Sequence, residues 1–131
     1  MKLIQSAACV LFANMLLVFF SQPALAQDAA KVDSAHYKVE FENDQMRVLR
    51  ITYGAHEKSV MHEHPASAAI FLTAGKGQFT YPDGKTEEIK WTAGQTIWLP
   101  AVKHLPENLT DAPFQLIQVE LKTPESMTEK Q

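Results

Sequence analysis

The stretch that decides the fold runs from residue 62 to residue 81 and reads HEHPASAAIFLTAGKGQFTY. An almost continuous apolar run at Ala69–Thr73 is followed by a turn at Gly75-Lys76-Gly77 and by alternation at Gln78–Tyr81. Short apolar runs that are bounded by glycine are typical of β-strands. Nowhere between residues 37 and 122 does a helical period extend over 11 residues. This stretch therefore predicts two strands joined by a turn.

The same pattern continues on both sides of that stretch. Further short bursts lie at 37–42, 48–53, 89–91, 96–99 and 114–121. In the last burst Ile117, Val119 and Leu121 share one face, because side chains alternate along a strand. About eight or nine strands at roughly ten-residue spacing predict an all-β, antiparallel barrel or sandwich over residues 37–122. Residues 27–36 are expected to form a mobile lead-in, and residues 123–131 a polar C-terminal tail.

Residues 1–26 resemble a targeting segment. Lys2 is the only charged residue before Asp28, and the run Ala7–Phe20 is apolar except for Asn14. The segment ends in Ala24-Leu25-Ala26, a small-x-small cleavage pattern. The alternative is a transmembrane anchor, but spanning a bilayer takes ~20 apolar residues and this run is shorter. The sequence predicts a cleaved signal peptide and a periplasmic or secreted protein that has no membrane contact after cleavage.

Composition limits the partners of this chain. Its 131 residues correspond to one domain, and its net charge of −3, with no run of Lys and Arg, argues against nucleic-acid binding. The only cysteine is Cys9, which lies in the predicted signal peptide. The mature chain therefore offers neither a disulfide nor a thiolate ligand.

The tripeptide His62-Glu63-His64 is the most informative candidate for a site. On a strand, residues i and i+2 leave the same face ~6.6 Å apart, so two imidazoles can converge on one ion. Glu63 then points the other way, to solvent or to a neighbouring strand. The alternative, a pair of surface histidines, stays open from this motif alone.

Two spaced motifs together resemble the cupin superfamily. The first motif matches at His62, His64 and Gly75, and its glutamate position falls on Ala68. The second motif matches at the four residues Gly94, Pro100, His104 and Asn108, with Val102 in place of its second glycine and one residue missing before His104. The resemblance covers about residues 37–122 and implies a single conical, antiparallel jelly-roll barrel.

The resemblance implies a metal site formed by His62, His64 and His104. One divalent transition metal (Zn, Fe, Mn or Cu) is expected, and the sequence leaves its identity open. Ala68 has no donor atom, so the usual carboxylate ligand is absent and at least one coordination position stays open. Thiol dioxygenases and a β-diketone-cleaving dioxygenase in the superfamily also use three histidines without glutamate. The implied activity is dioxygenase-like, on a small, mostly apolar molecule; the alternative is a non-catalytic module that binds metal or a small ligand.

Several other residues are weaker candidates for the pocket or its surroundings. If Ala68 faces inward, then Ile70 and Leu72 do so too, and Ala69, Phe71 and Thr73 face outward. An exposed Phe71 would need a cover, and cupins commonly dimerise, so a homodimer is expected. The remaining weaker candidates for the pocket are His56, Trp98 and Asn108. His36 is interpreted as an exposed histidine, and the glutamates near turns are interpreted as solvated: Glu57, Glu87, Glu88 and Glu107.

Overall fold

The computed structural model describes residues 27–122, so the predicted signal peptide and the C-terminal tail lie outside the described residues. The elements are α1 (Ala29–Val32), β1 (Tyr37–Glu42), β2 (Met46–Tyr53), β3 (His62–His64), β4 (Ser67–Phe71), β5 (Gly75–Thr80), β6 (Thr86–Trp91), β7 (Thr96–Leu99), β8 (Val102–Asn108) and β9 (Phe114–Leu121). These strands pair antiparallel, which confirms the all-β prediction. Between residues 27 and 122 no helix is long and apolar enough to cross a bilayer.

The strands form two sheets that enclose the core. One sheet has five strands in the order β1-β2-β9-β4-β7, and the other has four in the order β3-β8-β5-β6. Side chains alternate across a strand, so every second residue points between the sheets. The buried apolar residues are Ala29, Tyr37, Leu49, Ile51, Tyr53, Ala69, Phe71, Trp91, Phe114 and Leu116.

Gly75, at the start of β5, allows one large side chain to enter this core. A Cβ atom at Gly75 would lie 2.5 Å from Cζ2 of Trp91, so no larger residue fits there. The Trp91 ring stacks on Phe71 at 4.6 Å between centroids, and its Nε1 donates to the carbonyl of Thr73 at 3.0 Å. The glycine is needed for the close approach of the indole, which packs in the core against Phe71 and Phe114.

Residues 27–36, expected to be a mobile lead-in, instead pack against the barrel. Asp28 caps α1 by accepting a hydrogen bond from the backbone N–H of Lys31, and Ala29 is fully buried. The backbone N–H of Glu63 donates to the carbonyl of Gln27 at 2.8 Å. The sequence signal is weak here because a four-residue helix has no apolar period to detect.

The inward face of β4 is opposite to the one that the sequence predicted. Ala69 and Phe71 are buried and line a cavity between the two sheets. Ala68 and Ile70 point to the other face of the strand, and Leu72, which follows it, is 42% exposed. The direction of each side chain is set by pairing with β9, where Ala69 lies opposite the buried Gln118. Counting in steps of two from His64 fails because residues 65–66 lead from one sheet into the other.

Candidate metal centre

Two adjacent strands of the four-stranded sheet bring three imidazoles together. His62 on β3 lies directly opposite His104 on β8, and His64 follows two residues later on the same face. The three residues are 0%, 4% and 3% exposed for His62, His64 and His104. One ring nitrogen from each lies within 4.8 Å of the other two. Three nitrogens bound to one metal at about 2.1 Å are roughly 3 to 3.5 Å apart, so small rotations of the rings suffice.

Two of the imidazoles are oriented by hydrogen bonds on their outer nitrogens. Nδ1 of His62 lies 2.8 Å from the carbonyl of Val60, which can only accept, so this nitrogen carries the proton. Nδ1 of His64 lies 2.6 Å from Oε1 of Glu120. The two Nε2 atoms then face each other at 3.0 Å inside the barrel. This arrangement directs the lone pairs of both Nε2 atoms toward a shared point, as a metal requires.

His104 differs from the other two histidines. Among the described residues neither of its ring nitrogens has a hydrogen-bond partner, although both are buried. A buried polar atom without a partner costs about 1–3 kcal/mol. The ring of Phe79 packs against it at 4.4 Å between centroids and offers no acceptor. A metal ion bound to one of these nitrogens would remove the cost for that nitrogen, so the residues present fit the metal that the sequence predicted.

Burial keeps the imidazoles of His62 and His104 neutral. Desolvation, together with the neighbouring His64, lowers the pKa of His62 to about 4. Desolvation, with His64 and His62 beside it, lowers the pKa of His104 to about 3. Protons therefore do not compete for these two nitrogens near neutral pH, and neutral imidazole is the form that binds metal.

A buried ion-pair network lies behind His64. Glu120, fully buried on β9, accepts from His64 through Oε1 and from Nε of Arg47 through Oε2, each at 2.6 Å. Arg47 also pairs with Asp28 at 2.6 Å. Burial disfavours the charge of Arg47, but the two carboxylates outweigh it and raise its pKa. Charge on Glu120 is thus balanced by Arg47 while its second oxygen fixes the ring of His64.

A second polar chain lies behind His62. Ser59 donates to Asp33 and lies 3.3 Å from Nδ1 of His62. Asp33 also accepts from His36 at 2.7 Å, and the ring of His36 stacks on Tyr53 at 4.3 Å. The interpretation of His36 as an exposed residue is therefore wrong, since its side chain is only 15% exposed.

An apolar cavity of about 50 Å³ adjoins the histidines. Its wall includes the rings of His64 and His104, and the rest is mostly aliphatic and aromatic. The hydroxyl and amide groups in that wall already have partners: the Tyr37 and Tyr53 hydroxyls bond each other at 2.7 Å, and Gln118 donates to Ser67 at 3.0 Å. The cavity therefore favours a small molecule with few polar groups.

The structure does not bring the other predicted pocket residues to the histidines. His56 is exposed and bonds Asp111, and Trp98 is 60% exposed on the outer face. Asn108 is buried, but its amide donates to the carbonyls of Gly54 and Ala112 and so fixes two loops. Ala68 also faces outward, and the inward residue nearest in sequence is Ala69. Since Ala69 has no donor atom either, no glutamate from β4 reaches the site.

Sequence reasoning missed Glu120, Arg47 and Asp28, which support His64. One signal was available: residues 114 and 116 are apolar, so Gln118 and Glu120 share their face by alternation. Two polar residues on a face that begins with Phe114 indicate buried groups with partners. That signal competes with the apolar set on the opposite face of β9, which was the one noticed.

Comparison with known proteins places the chain in a family. The model of the cupin domain family matches residues 49–120, which is more than half of the chain. The protein therefore belongs to the cupin family, as the two motifs predicted. A search of curated proteins finds no match.

Solved structures agree on the fold. A cupin domain from Bordetella pertussis Tohama I is 21% identical over 66% of this chain and 92% of its own, with a TM-score of 0.62. An RmlC-like cupin family protein with a double-stranded β-helix fold from Methanocaldococcus jannaschii is 19% identical over 73% of this chain and 89% of its own, with a TM-score of 0.55. These similarities confirm the jelly-roll barrel and say nothing about an activity.

Proposed function

We propose that this protein is an exported cupin that binds one divalent transition metal through His62, His64 and His104 and acts on a small, mostly apolar molecule. The observation that carries the proposal is the pair of buried nitrogens on His104, which have no other partner among the described residues. Two neighbouring imidazoles direct their Nε2 atoms to the same point.

The residues of the chain define what the site can do. Bound by three neutral imidazoles, a divalent metal keeps its full charge and open positions, and so supplies Lewis-acid polarisation or activation of water or oxygen. Glu120 holds the ring of His64, and Phe79 packs against the ring of His104. The Tyr37 hydroxyl stays protonated at neutral pH, because burial and the neighbouring Tyr53 raise its pKa well above 10.

Metal analysis of the purified protein tests the site. After refolding with excess Zn²⁺, Mn²⁺, Cu²⁺ or Fe²⁺ and desalting, we expect about one equivalent of bound metal. The variant His104→Ala should lose it, whereas His56→Ala, which removes an exposed histidine far from the site, should keep it. Equal metal contents in wild type and His104→Ala would reject the proposal.

The reaction itself is proposed from the resemblance to three-histidine dioxygenases. Oxygen uptake by Fe(II)-loaded protein, screened with small thiols and β-diketones, is the direct measurement. Turnover that His104→Ala abolishes and His56→Ala preserves would support a dioxygenase.

A non-catalytic binding module is the second candidate. The specific observation in its favour is that every hydroxyl and amide in the wall of the central cavity already has a partner, which leaves few groups to move protons. Metal uptake and ligand binding without turnover across the screen would favour this function over catalysis.

Export and self-association complete the proposal. Cell fractionation should recover the chain outside the cytoplasm, shortened after Ala26.

A row of apolar residues crosses the outer face of all five strands of the larger sheet and supports a homodimer. The row consists of Phe41, Val48, Val119, Ala68 and Trp98. Replacing the exposed Trp98 by Glu should convert a dimer into a monomer in analytical ultracentrifugation.

A further inference from the structure

A second cavity, of about 310 Å³, adjoins the one at the histidines. Its walls come from both sheets and consist of Phe79, Tyr81, Glu87, Ile89, Ile97, Leu99, Pro100 and Val102. Four of these residues also line the cavity at the histidines, namely Phe79, Ile89, Ile97 and Leu99. The two cavities therefore share a wall of half-buried apolar side chains.

This second cavity, called the outer cavity below, opens where the two sheets have their free edges. Strand β6 ends the four-stranded sheet and β7 ends the five-stranded sheet, so no strand bridges the gap between them. On its inner side the cavity reaches the level of the histidines. Phe79 contacts the ring of His104, and Val102 lies opposite His64 in the pairing of β3 with β8.

Two polar side chains stand among the apolar walls of this outer cavity. The hydroxyl of Tyr81 donates to Oε2 of Glu87 at 2.6 Å. Burial and this carboxylate raise the pKa of Tyr81 to about 12, so the tyrosine remains the donor. None of the eight wall residues is basic. A molecule that enters here meets one negative charge and no positive one.

Alternation along β6 distinguishes Glu87 from its neighbour. Glu87 lies opposite Phe79 on the inward face, while the adjacent Glu88 forms an ion pair with Lys76 at 2.6 Å. Two glutamates of the same strand thus have different roles. Only Glu87 faces the cavity, and both glutamates are exposed, as the sequence analysis expected.

We propose that the outer cavity is the entrance to the metal centre and that Glu87, held by Tyr81, selects molecules by the charge of the end that stays in the entrance. The molecule favoured has a metal-binding end, an apolar middle and an amine or hydroxyl at its far end. A carboxylate at that end is disfavoured by repulsion. This inference rests on the proposed metal site and adds the class of ligand that the site takes.

The expected size of the effect follows from distance. Glu87 lies two strands away from His104 in the order β8-β5-β6, which corresponds to about 10 Å. Glu87 is exposed, so its interaction with a charge at the far end of a bound molecule is screened, and removing it should change the affinity for a charged ligand by about three- to tenfold. A neutral ligand should be almost unaffected.

The test uses protein loaded with Co²⁺, whose visible spectrum reports the binding of a thiolate to the metal. The probes are three four-carbon thiols that differ only at the far end: 4-mercaptobutylamine, 4-mercaptobutanol and 4-mercaptobutyrate. In Glu87→Gln the affinity for the butyrate should rise and that for the amine should fall, each about three- to tenfold. The affinities of the variants are compared for one probe at a time, so differences in thiol pKa between the probes do not affect the comparison.

Two control variants make the result specific. Glu88→Gln removes an equal charge from the outward face and should leave the three affinities within about twofold of wild type, since Glu88 points away from the cavity and pairs with Lys76. Tyr81→Phe keeps the charge of Glu87 and should keep the preference for the amine. Equal changes in Glu87→Gln and Glu88→Gln, or no change in either, would overturn this inference while leaving the metal site intact. Failure of wild type to bind Co²⁺ would instead overturn the proposed function and this inference with it.

Discussion

His64 and His104 sit on neighbouring strands of one site, but the chain supports them differently. His64 is held from behind by Glu120, which Arg47 neutralises, whereas His104 has no polar partner among the described residues and rests on Phe79. The orientation of the first ring is therefore determined by the fold. The second ring is stabilised in its place by packing alone until a metal binds. The comparison shows that one cluster of histidines can combine a ring held by hydrogen bonds with a ring held by packing alone.

The largest effect is expected from Glu120→Ala. This change leaves the buried Arg47 with only Asp28 as partner and removes the acceptor of His64. We expect the free energy of unfolding of the metal-free protein to fall by about 3–5 kcal/mol, measured by urea denaturation. Glu40→Ala removes a carboxylate from an exposed ion pair and should leave the free energy of unfolding almost unchanged. Similar losses in the two variants would show that the network behind His64 does not stabilise the fold.

The next effect concerns pH. The pKa values of His62 and His104 in the folded protein, about 4 and about 3, lie below the ordinary value of 6.5 that the unfolded chain has. Between these values the unfolded chain binds more protons, so the metal-free protein loses stability as pH falls below about 6.5 and has its full stability above it. Each histidine should account for about 1–2 kcal/mol of the free energy of unfolding that is lost between pH 7 and pH 5. Urea denaturation at a series of pH values measures the slope, and an equally steep slope in His104→Leu would contradict the assignment.

Metal affinity should respond to the support of His64. In Glu120→Gln the amide oxygen can still accept from Nδ1 of His64, but the negative charge is lost. We expect metal to bind about 10- to 100-fold more weakly, measured by competition with a chelator. Glu63→Gln is a suitable control, because Glu63 on the same strand as His64 points away and pairs with Lys103. An unchanged affinity in Glu120→Gln would mean that the carboxylate does not act on the metal through His64.

The smallest effect has the opposite sign. His104→Leu removes two buried nitrogens that have no partner and should stabilise the metal-free protein by about 1 kcal/mol. His64→Leu removes the partner of Glu120 and should destabilise it. Thermal unfolding without metal measures both, and destabilisation by both substitutions would remove the distinction between the two histidines.

The sequence predicted the three histidines of the site better than the residues that hold them in place. His62 and His64 could be found because a strand places residues i and i+2 on one face, and His104 followed from the spacing of the second motif. Glu120 and Arg47 pair across β9 and β2 although they lie 73 residues apart in the chain, and no short-range pattern reports such a pair.

The prediction of which face of β4 points inward was wrong for a similar physical reason. Both alternating sets of residues on this strand are apolar, so the pattern alone does not say which set faces the core. Pairing with β9 decides it, and that pairing depends on the whole sheet. The same ambiguity on β9 hid the inward direction of Gln118 and Glu120.

X-ray absorption spectroscopy of the Zn²⁺-loaded protein tests the central claim most directly, since it counts the imidazoles bound to the metal. We predict three imidazole nitrogens around the metal in the wild type and in His56→Ala, and no zinc retained after desalting in His104→Leu. A wild-type spectrum with fewer than three imidazoles, or one that His104→Leu leaves unchanged, would contradict the site described above.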